Sequence, residues 1–305
     1  MSQSEPNLTT IETPAAAPED EACAPRALYA CKSVQGMRES NQDVALAGQI
    51  ATQDGTPVTV AAVCDGMGGH KAGERASHLA AHAGLATLIA GVLGLPADSR
   101  AQEMPAVMLE TFQSANIDVM AEAARNPACR DMGTTMVMAV LVGTRLYVGN
   151  VGDSRTYFYH EEALEPLTHD DSVVQILMDL GQISLREAEN HPRSNEITRC
   201  IGTVDALDDF GVTIHSVEPG DCIVLCSDGL WKACEEDIHA TCAGLSTQPF
   251  TPAILDRAAR NLIGQALARG SDDNITVVLI WLEPKRLDLL CTMETASNNA
   301  EPEEV

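Results

Sequence analysis

The pattern of apolar and polar positions predicts a body in which many strands surround a few long helices. Runs of aliphatic and β-branched residues are typical of buried strands, because both faces of such a strand are covered. These runs occupy residues 58–64, 134–142, 145–151, 156–160, 222–226 and 275–282. The Gly143-Thr144 pair between two of them predicts a hairpin turn.

Apolar residues at helical spacing predict three longer helices and three short ones. The longer helices are predicted at 72–92, 105–125 and 251–268, and the short ones at 172–180, 184–190 and 235–243. Because strands and helices do not alternate strictly, the pattern favours an α+β layered body over a doubly wound sheet.

The two ends of the chain differ in composition from the rest. Residues 1–25 contain no basic residue and are rich in Pro, Ala, Thr and Glu, which predicts a disordered acidic leader. Residues 286–305 predict a disordered acidic tail. Residues 26–285 then form one continuous domain, without a linker or an internal repeat.

Charge and cysteine usage narrow the classes of partner and compartment. The chain has 19 Lys and Arg against 44 Asp and Glu, a net charge of -25. That charge argues against nucleic acid or an acidic membrane surface as the partner. The ten cysteines form no Cys-x-x-Cys pair, and the N-terminus has no secretion-signal pattern. No run reaches the ~18 apolar residues of a membrane helix. We therefore expect a cytoplasmic protein with reduced thiols.

Candidate metal ligands lie at the ends of predicted strands. Asp65 and Asp228 each follow an apolar run and precede a glycine, Asp273 comes just before the last run, and Asp43 belongs to a further acidic motif. Aspartates that converge on one point repel one another unless a cation lies between them. Ligand sets made only of oxygen suit Mg²⁺ or Mn²⁺. Because Gly66 has no side chain, its backbone carbonyl can approach such an ion closely.

Two further residues suit phosphate chemistry. Arg38 lies close before Asp43, and a guanidinium beside a metal site binds phosphate well. His70 follows a glycine-rich turn and could supply a proton to a leaving group. Taken alone, an arginine such as Arg38 is more often part of a surface salt bridge, and a histidine such as His70 is more often merely solvent-exposed.

Other routes to phosphate or ester chemistry lack their sequence signatures. No cysteine is followed six positions later by arginine, and no Asp-x-Asp occurs. The P-loop motif and the Gly-x-Ser-x-Gly elbow are also absent. His78 and His82 have the spacing of a zinc protease motif, but Leu79 stands where the glutamate should be.

Taken together, the motifs resemble the metal-dependent type 2C (PPM) Ser/Thr protein phosphatases, in the compact bacterial form. The resemblance covers residues 28–283. Its main motifs are Arg38-x-x-Asn41-Gln42-Asp43, Asp65-Gly66-Met67-Gly68-Gly69-His70, Met132-Gly133-Thr134-Thr135, Val151-Gly152-Asp153-Ser154-Arg155, Ser227-Asp228-Gly229-Leu230-Trp231 and Asp272-Asp273-Asn274-Ile275-Thr276.

The resemblance implies a four-layer α-β-β-α sandwich with two central antiparallel sheets and a dinuclear Mn²⁺ or Mg²⁺ site at one end. The implied metal ligands are Asp43, Asp65, Asp228, Asp273 and the backbone carbonyl of Gly66. Arg38 would hold the substrate phosphate, and His70 would be the general acid. Asp131, sharing Asp228, is the candidate ligand of a possible third ion.

The implied activity is single-step hydrolysis of phosphoserine and phosphothreonine proteins by a metal-bridged water. The expected partners are those phosphoproteins and a bacterial eukaryotic-like Ser/Thr kinase that the enzyme opposes, and the expected state is a monomer. Asp153 and Asp170 match family motifs but are interpreted as structural, with Asp153 bracing the site through Arg155 or a turn. Asp171 replaces a family histidine at the start of a flap, about residues 171–195, which bears on flap conformation and substrate preference.

Three alternatives remain open. A catalytically silent module of the same fold could bind a phosphorylated partner, although it would be expected to lose metal aspartates. A phosphoesterase on the same scaffold could act on small metabolites. A Ca²⁺-binding acidic protein would need an Asp-x-Asn/Asp-x-Asn/Asp-Gly loop, which this chain lacks.

Overall fold

A computed structural model describes residues 24–68, 70–203, 207 and 210–284, without the side chains of His70 and Lys71. The predicted leader, apart from residues 24 and 25, and the predicted tail lie outside the described residues. The side chain of His70, the predicted general acid, also lies outside them.

The described part of the chain forms strands, α-helices and one 3-10 turn at Pro127–Cys129. The strands are β1 Ala27–Val34, β2 Asp43–Ala51, β3 Pro57–Met67, β4 Gly133–Thr134, β5 Met136–Val142, β6 Arg145–Val151, β7 Arg155–His160, β8 Ala163–Pro166, β9 Val212–Ser216, β10 Cys222–Cys226 and β11 Ile275–Leu282. The helices are α1 His70–Gly94, α2 Ala97–Arg125, α3 Val173–Asp179, α4 Leu185–Glu189, α5 Asp228–Leu245 and α6 Pro252–Ala268.

The strands make two antiparallel sheets packed face to face. One sheet has the order β1-β11-β10-β7-β8, and the other has β2-β3-β5-β6-β9 with β4 paired to β3. Helices α1 and α2 cover the second sheet, and α5 and α6 cover the first. The predicted α+β sandwich of four layers is confirmed.

The alternation of side chains along the central strands builds three apolar layers. In β3, Val60, Ala62 and Cys64 pack against the helices, whereas Ala61 and Val63 pack between the sheets. This arrangement follows because successive side chains of a strand point to opposite faces. An uninterrupted apolar run is therefore the signature of a strand buried on both faces.

Helix α1 is a core helix with an apolar composition. Its segment Ala72–Gly94 is long and apolar enough to cross a membrane by length and composition, with a hydropathy of 1.4. The sequence-based expectation, which looked for an uninterrupted apolar run, did not single out this segment. Ala76, Ala80 and Leu88 on α1 are fully buried in the layer shared with α2 and the sheet, so part of this apolar surface packs in the core.

Two predicted helix starts were wrong. Helix α2 begins at Ala97 and contains Pro105, because burial of residues such as Arg100 and Met104 stabilises the turns before the proline. Helix α5 begins at Asp228, after Ser227 at the N-cap position, and bends at Cys234 (φ -151, ψ 42). The predicted 235–243 segment is only the part beyond that bend.

Candidate active site

Asp43 and Asp65 face each other on neighbouring strands. Asp43 is the first residue of β2 and lies directly opposite Asp65 near the end of β3. The backbone around Asp65 is fixed by Thr135, whose N–H donates to the Asp65 carbonyl (2.8 Å) and whose Oγ1 accepts from the Asp65 N–H (3.0 Å). Two predicted ligands are thus placed together by strand register.

Asp228 and Asp273 lie at the adjoining ends of two inner strands of the other sheet. Asp228 follows β10 and Asp273 precedes β11, and these two strands are paired neighbours. A β-carbon on Gly229 would collide with the carbonyl of Asn274, so glycine allows the two segments to approach. The four aspartates from the ends of the two sheets therefore lie close together.

The electrostatics of the site show that these carboxylates form one cluster. Burial, and then the charges of Asp43, Asp228, Asp153 and Asp273, raise the pKa of Asp65 well above its usual value. Burial raises the pKa of Asp43 to about 6, against hydrogen bonds that lower it. Burial and then the charge of Asp228 raise the pKa of Asp153 to about 7. Each carboxylate is held near others of the same charge.

Two cationic side chains hold the outer members of the cluster. The Lys232 ammonium lies 2.7 Å from Asp228 Oδ2 and 3.9 Å from Asp153 Oδ2. The Arg38 guanidinium donates from Nη2 to Asp273 Oδ2 (2.6 Å) and from Nε to the Asp272 carbonyl (3.0 Å). These contacts offset part of the repulsion from the outer side.

The donor set suits hard divalent ions. Asp43 Oδ1 and Asp228 Oδ1 are buried and accept no hydrogen bond, which leaves their lone pairs open to a cation. Within the described residues, no three His, Cys, Asp or Glu side chains are arranged to hold a metal ion as they stand. One oxygen each of Asp228 and Asp273 is instead held by Lys232 and Arg38. Ion binding would have to displace these contacts.

Asn274 fixes the loop that carries Arg38. Its Nδ2 donates to the carbonyls of Gln35 (2.8 Å) and Ser40 (2.9 Å), and its Oδ1 accepts from the Gln42 N–H (2.9 Å). Residues on both sides of Arg38 are therefore tied to the start of β11. The Arg38 side chain is 55% exposed, so a ligand can reach it.

The acids open into a cavity of about 630 Å³. Its polar and charged lining comes from both sheets and from the segment between β8 and β9 that was predicted as a flap. This lining includes Arg38, Asp65, Thr135, Asp153, Asn195, Asp228 and Asp273. The structure thus brings the predicted phosphate-binding arginine to the same opening as the predicted metal ligands.

Asp153 lies in the cavity lining, whereas the sequence analysis interpreted it as a structural residue. It lines the cavity beside Asp228, whereas the side chain of Asp131 is exposed and lies outside the lining. Arg155 pairs with Asp170 (2.9 Å) instead of with Asp153. The position of Asp153, just beyond the end of a predicted strand, is the signal that could have identified it.

Arg155 still supports the site through an aromatic ring. Its guanidinium lies 3.4 Å from the centre of the Trp231 ring, and Trp231 Nε1 donates to the Asp153 carbonyl (3.0 Å). At the base of the predicted flap, Asp171 Oδ2 accepts from the Gly152 N–H (2.9 Å) and from Arg199 Nε (3.0 Å). Asp171 therefore anchors the flap to the loop before Asp153.

Comparisons with known proteins agree with this geometry. The protein phosphatase 2C family model matches residues 33–268. The serine/threonine phosphatase stp of Listeria innocua is 32% identical over 80% of this chain and 91% of its own. The crystal structure of the Mycobacterium tuberculosis serine/threonine phosphatase PstP/Ppp superposes with a TM-score of 0.71 at 31% identity, covering 84% of this chain and 99% of that one.

A second structure bears on the metal. The catalytic domain of the phosphatase PstP in complex with 2 manganese ions matches with a TM-score of 0.67 at 30% identity, covering 84% of this chain and 98% of that one. The family match spans most of the chain and all but one of the predicted acidic ligands. The chain belongs to the protein phosphatase 2C family of Ser/Thr protein phosphatases.

Proposed function

We propose that this protein hydrolyses phosphoserine and phosphothreonine in proteins, using two divalent ions, Mn²⁺ or Mg²⁺. Asp43, Asp65, Asp228, Asp273 and the Gly66 carbonyl would hold these ions. The observation that carries the proposal is the convergence of these acids beneath an open cavity whose rim holds Arg38. The manganese complex of the PstP catalytic domain supports the choice of ion.

When bound, divalent ions in such a site supply an activated water and offset negative charge on the phosphoryl oxygens. The protein contributes a rigid set of carboxylates. Ser227 Oγ donates to Asp43 Oδ2 (2.8 Å) and itself accepts from the Thr276 N–H (3.1 Å), so one oxygen of Asp43 is fixed while the other stays open. Preorganisation of this kind avoids a reorganisation cost during the reaction.

Arg38 would bind the phosphate of the substrate. Its Nε is held by a backbone carbonyl, whereas its Nη2 contacts Asp273 at the rim of the cavity. An incoming phosphate dianion competes with Asp273 for that guanidinium, because charge-assisted bonds from arginine to phosphate form readily in two-pronged geometry. Arg38 would then orient the phosphoryl group over the acidic cluster.

The proton for the departing serine or threonine would come from His70. Its backbone begins α1 immediately after the glycine-rich turn that follows Asp65 and Gly66. Histidine side chains in general can give up a proton near neutral pH, which suits this role. For the third ion, we transfer the proposed ligand from Asp131 to Asp153, because Asp153 and Asp228 line the same cavity and Lys232 lies within 4 Å of both.

The biological setting is proposed on the same basis. The substrates would be proteins phosphorylated by a eukaryotic-like Ser/Thr kinase, and the protein would act as a monomer in the cytoplasm. An open cavity suits a phosphorylated side chain on a protein segment, because the flanking residues can extend past the rim. Met37, 76% exposed beside Arg38, is available to contact such a segment.

The test is hydrolysis of p-nitrophenyl phosphate and a phosphothreonine peptide with Mn²⁺, Mg²⁺ or EDTA. We expect metal-dependent turnover that Asp228→Asn reduces to background. Asp256→Asn is the control, since Asp256 lies on α6, pairs with Lys32 and is outside the cavity lining. Turnover of the small ester alone would indicate a metabolite phosphoesterase. No turnover from a folded protein would indicate a silent phosphoprotein-binding module.

A further inference from the structure

Lys232 lies between the acidic cluster and the flap. Its Nζ donates to Asp228 Oδ2 (2.7 Å) and to Asn195 Oδ1 (2.9 Å), and it lies 3.9 Å from Asp153 Oδ2. Asp228 and Asp153 are on the floor of the cavity, whereas Asn195 belongs to the segment predicted as the flap. The Lys232 ammonium thus contacts both the acidic cluster and the predicted flap.

This lysine is held in place from several sides. Its side chain is 29% exposed, against 16% for Asp228 and 8% for Asp153. It follows Trp231, whose ring nitrogen is bonded to the Asp153 carbonyl, and it lies one helical turn after Asp228 on α5. A charge that is only partly solvated interacts with its neighbours more strongly than a surface charge does.

Lys232 is less exposed to solvent than Arg38, the cationic side chain on the other side of the acidic cluster. Arg38 also contacts a carboxylate, but its side chain is 55% exposed and can turn into solvent. Lys232 is less free to leave. Asp228 Oδ1 stays open to an ion while Asp228 Oδ2 is bonded to the ammonium, so an ion and the lysine compete for the same carboxylate.

We propose that Lys232 is a positioning residue that competes with a divalent ion at Asp153 and Asp228 and couples ion binding to the flap through Asn195. This inference rests on the proposed function, because it needs an ion in the cluster. An arriving cation repels the ammonium, so Lys232 moves and its bond to Asn195 is lost. By reciprocity, whatever holds Asn195 on Lys232 also weakens ion binding.

The first test is the affinity of the full chain for Mn²⁺, measured by titration calorimetry without substrate. Lys232→Met removes the charge and keeps the length, and we expect the dissociation constant to fall about tenfold or more. Lys232→Gln should behave alike, since the competition is one of charge. Lys32→Met is the matched control, because Lys32 pairs with Asp256 at 2.5 Å and is similarly half-exposed.

The second test is hydrogen exchange of residues 193–198 with and without Mn²⁺. In the wild type we expect Mn²⁺ to speed exchange in this segment. In Lys232→Met and in Asn195→Ala, exchange should already be fast and should not respond to the ion. Asn195→Ala keeps the ammonium but removes its bond to the flap, so the dissociation constant for Mn²⁺ should fall, by less than in Lys232→Met.

The outcomes separate this proposal from the proposed function. Wild-type protein that binds no Mn²⁺ would overturn both. Wild-type protein that binds Mn²⁺, together with unchanged or weaker binding in Lys232→Met, would overturn the role of Lys232 alone. A flap that responds to Mn²⁺ equally in Lys232→Met and wild type would overturn the coupling. Melting curves in EDTA check folding, and Lys232→Met should melt lower than Lys32→Met.

Discussion

Asp43 and Asp65 are directly opposite each other in the β2–β3 ladder, and both are members of the acidic cluster. Facing carboxylates on paired strands destabilise a sheet. The fold therefore places a repulsive pair at the end of its second sheet and leaves one oxygen of Asp43 buried without a partner. Such a pair is costly in the metal-free protein and useful once a cation is bound.

Replacing Asp65 by asparagine should stabilise the protein in EDTA, because it removes the charge that faces all the other acids. We expect a gain of about 1 kcal/mol or more, which corresponds to a rise of about 2–4 °C per kcal/mol in melting temperature. Asp65→Asn is a better test than Asp228→Asn, since loss of Asp228 would leave Lys232 without its nearest carboxylate. A lower melting temperature for Asp65→Asn in EDTA would contradict the repulsion argument.

The stability of the metal-free protein should fall as the pH rises from about 4 to 7. The folded-state pKa values of Asp43 and Asp153 are raised from 3.8 to about 6 and about 7. In this window the folded protein holds protons that the unfolded chain has released, so the unfolding free energy decreases with pH. The stabilisation that these two protons provide reaches its full value below about pH 3.8, where the unfolded chain is protonated as well.

The measurement is urea unfolding in EDTA at several pH values within that window. The hydrogen bond with Asp221 raises the pKa of His160, so His160 also makes the unfolding free energy decrease with pH. The experiment is therefore done in the His160→Gln background, which removes this contribution. Addition of Mn²⁺ should flatten or reverse the slope, since the ion replaces the protons. A slope unchanged by Asp153→Asn would show that the cluster does not cause it.

Ser227→Ala should destabilise the protein by about 1–3 kcal/mol, because it leaves buried polar groups unsatisfied. Ser227 is fully buried and bonds both Asp43 Oδ2 and the Thr276 N–H. Urea unfolding measures the loss. Ser246→Ala is the control, since Ser246 is exposed and bonds only its own helix end. Equal effects of the two changes would refute the proposed support of Asp43.

Asn274→Ala should lower kcat/KM through Arg38. It removes the bonds that tie Gln35, Ser40 and Gln42 to β11, so the arginine loses its fixed position. We expect a loss of about 10- to 100-fold, on the scale of a misplaced substrate-binding group. Arg38→Ala and the double variant complete a cycle. If Asn274→Ala reduced activity as much in the Arg38→Ala background, its effect would not pass through Arg38.

Asp153→Asn should weaken Mn²⁺ binding, whereas Asp131→Asn should leave it unchanged. Asp153 is buried beside Asp228, and Asp131 is exposed outside the cavity lining. Calorimetric titration of both variants distinguishes the two residues. Weaker binding in Asp131→Asn alone would restore the assignment that the sequence suggested.

Local patterns account for the parts of the fold that the sequence predicted well. The predicted strands 222–226 and 275–282 match β10 and β11, because a strand buried on both faces must be continuously apolar. Strands β1 and β2 lie partly exposed and carry mixed residues, so the same criterion does not identify them. Helix starts failed where tertiary burial outweighed a local signal, as at Pro105.

The candidate site could likewise be predicted only in part from local sequence patterns. The positions of Asp65 and Asp228 follow from the strand-Asp-Gly pattern, but their proximity to Asp43 and Asp273 depends on strand order and register. The contact of Lys232 with Asn195 joins residues far apart in the chain. No local pattern specifies such a contact, because it forms only when the flap segment packs against the acidic cluster in the folded chain.

The most direct test of the account is a titration of metal-free protein with Mn²⁺ in which binding and phosphothreonine peptide hydrolysis are followed together. We predict two equivalents of tightly bound Mn²⁺, with activity rising as they bind and absent from Asp65→Asn. Full activity in EDTA, or saturation with Mn²⁺ that leaves a folded protein inactive, would contradict a phosphatase built on the Asp43–Asp65 cluster.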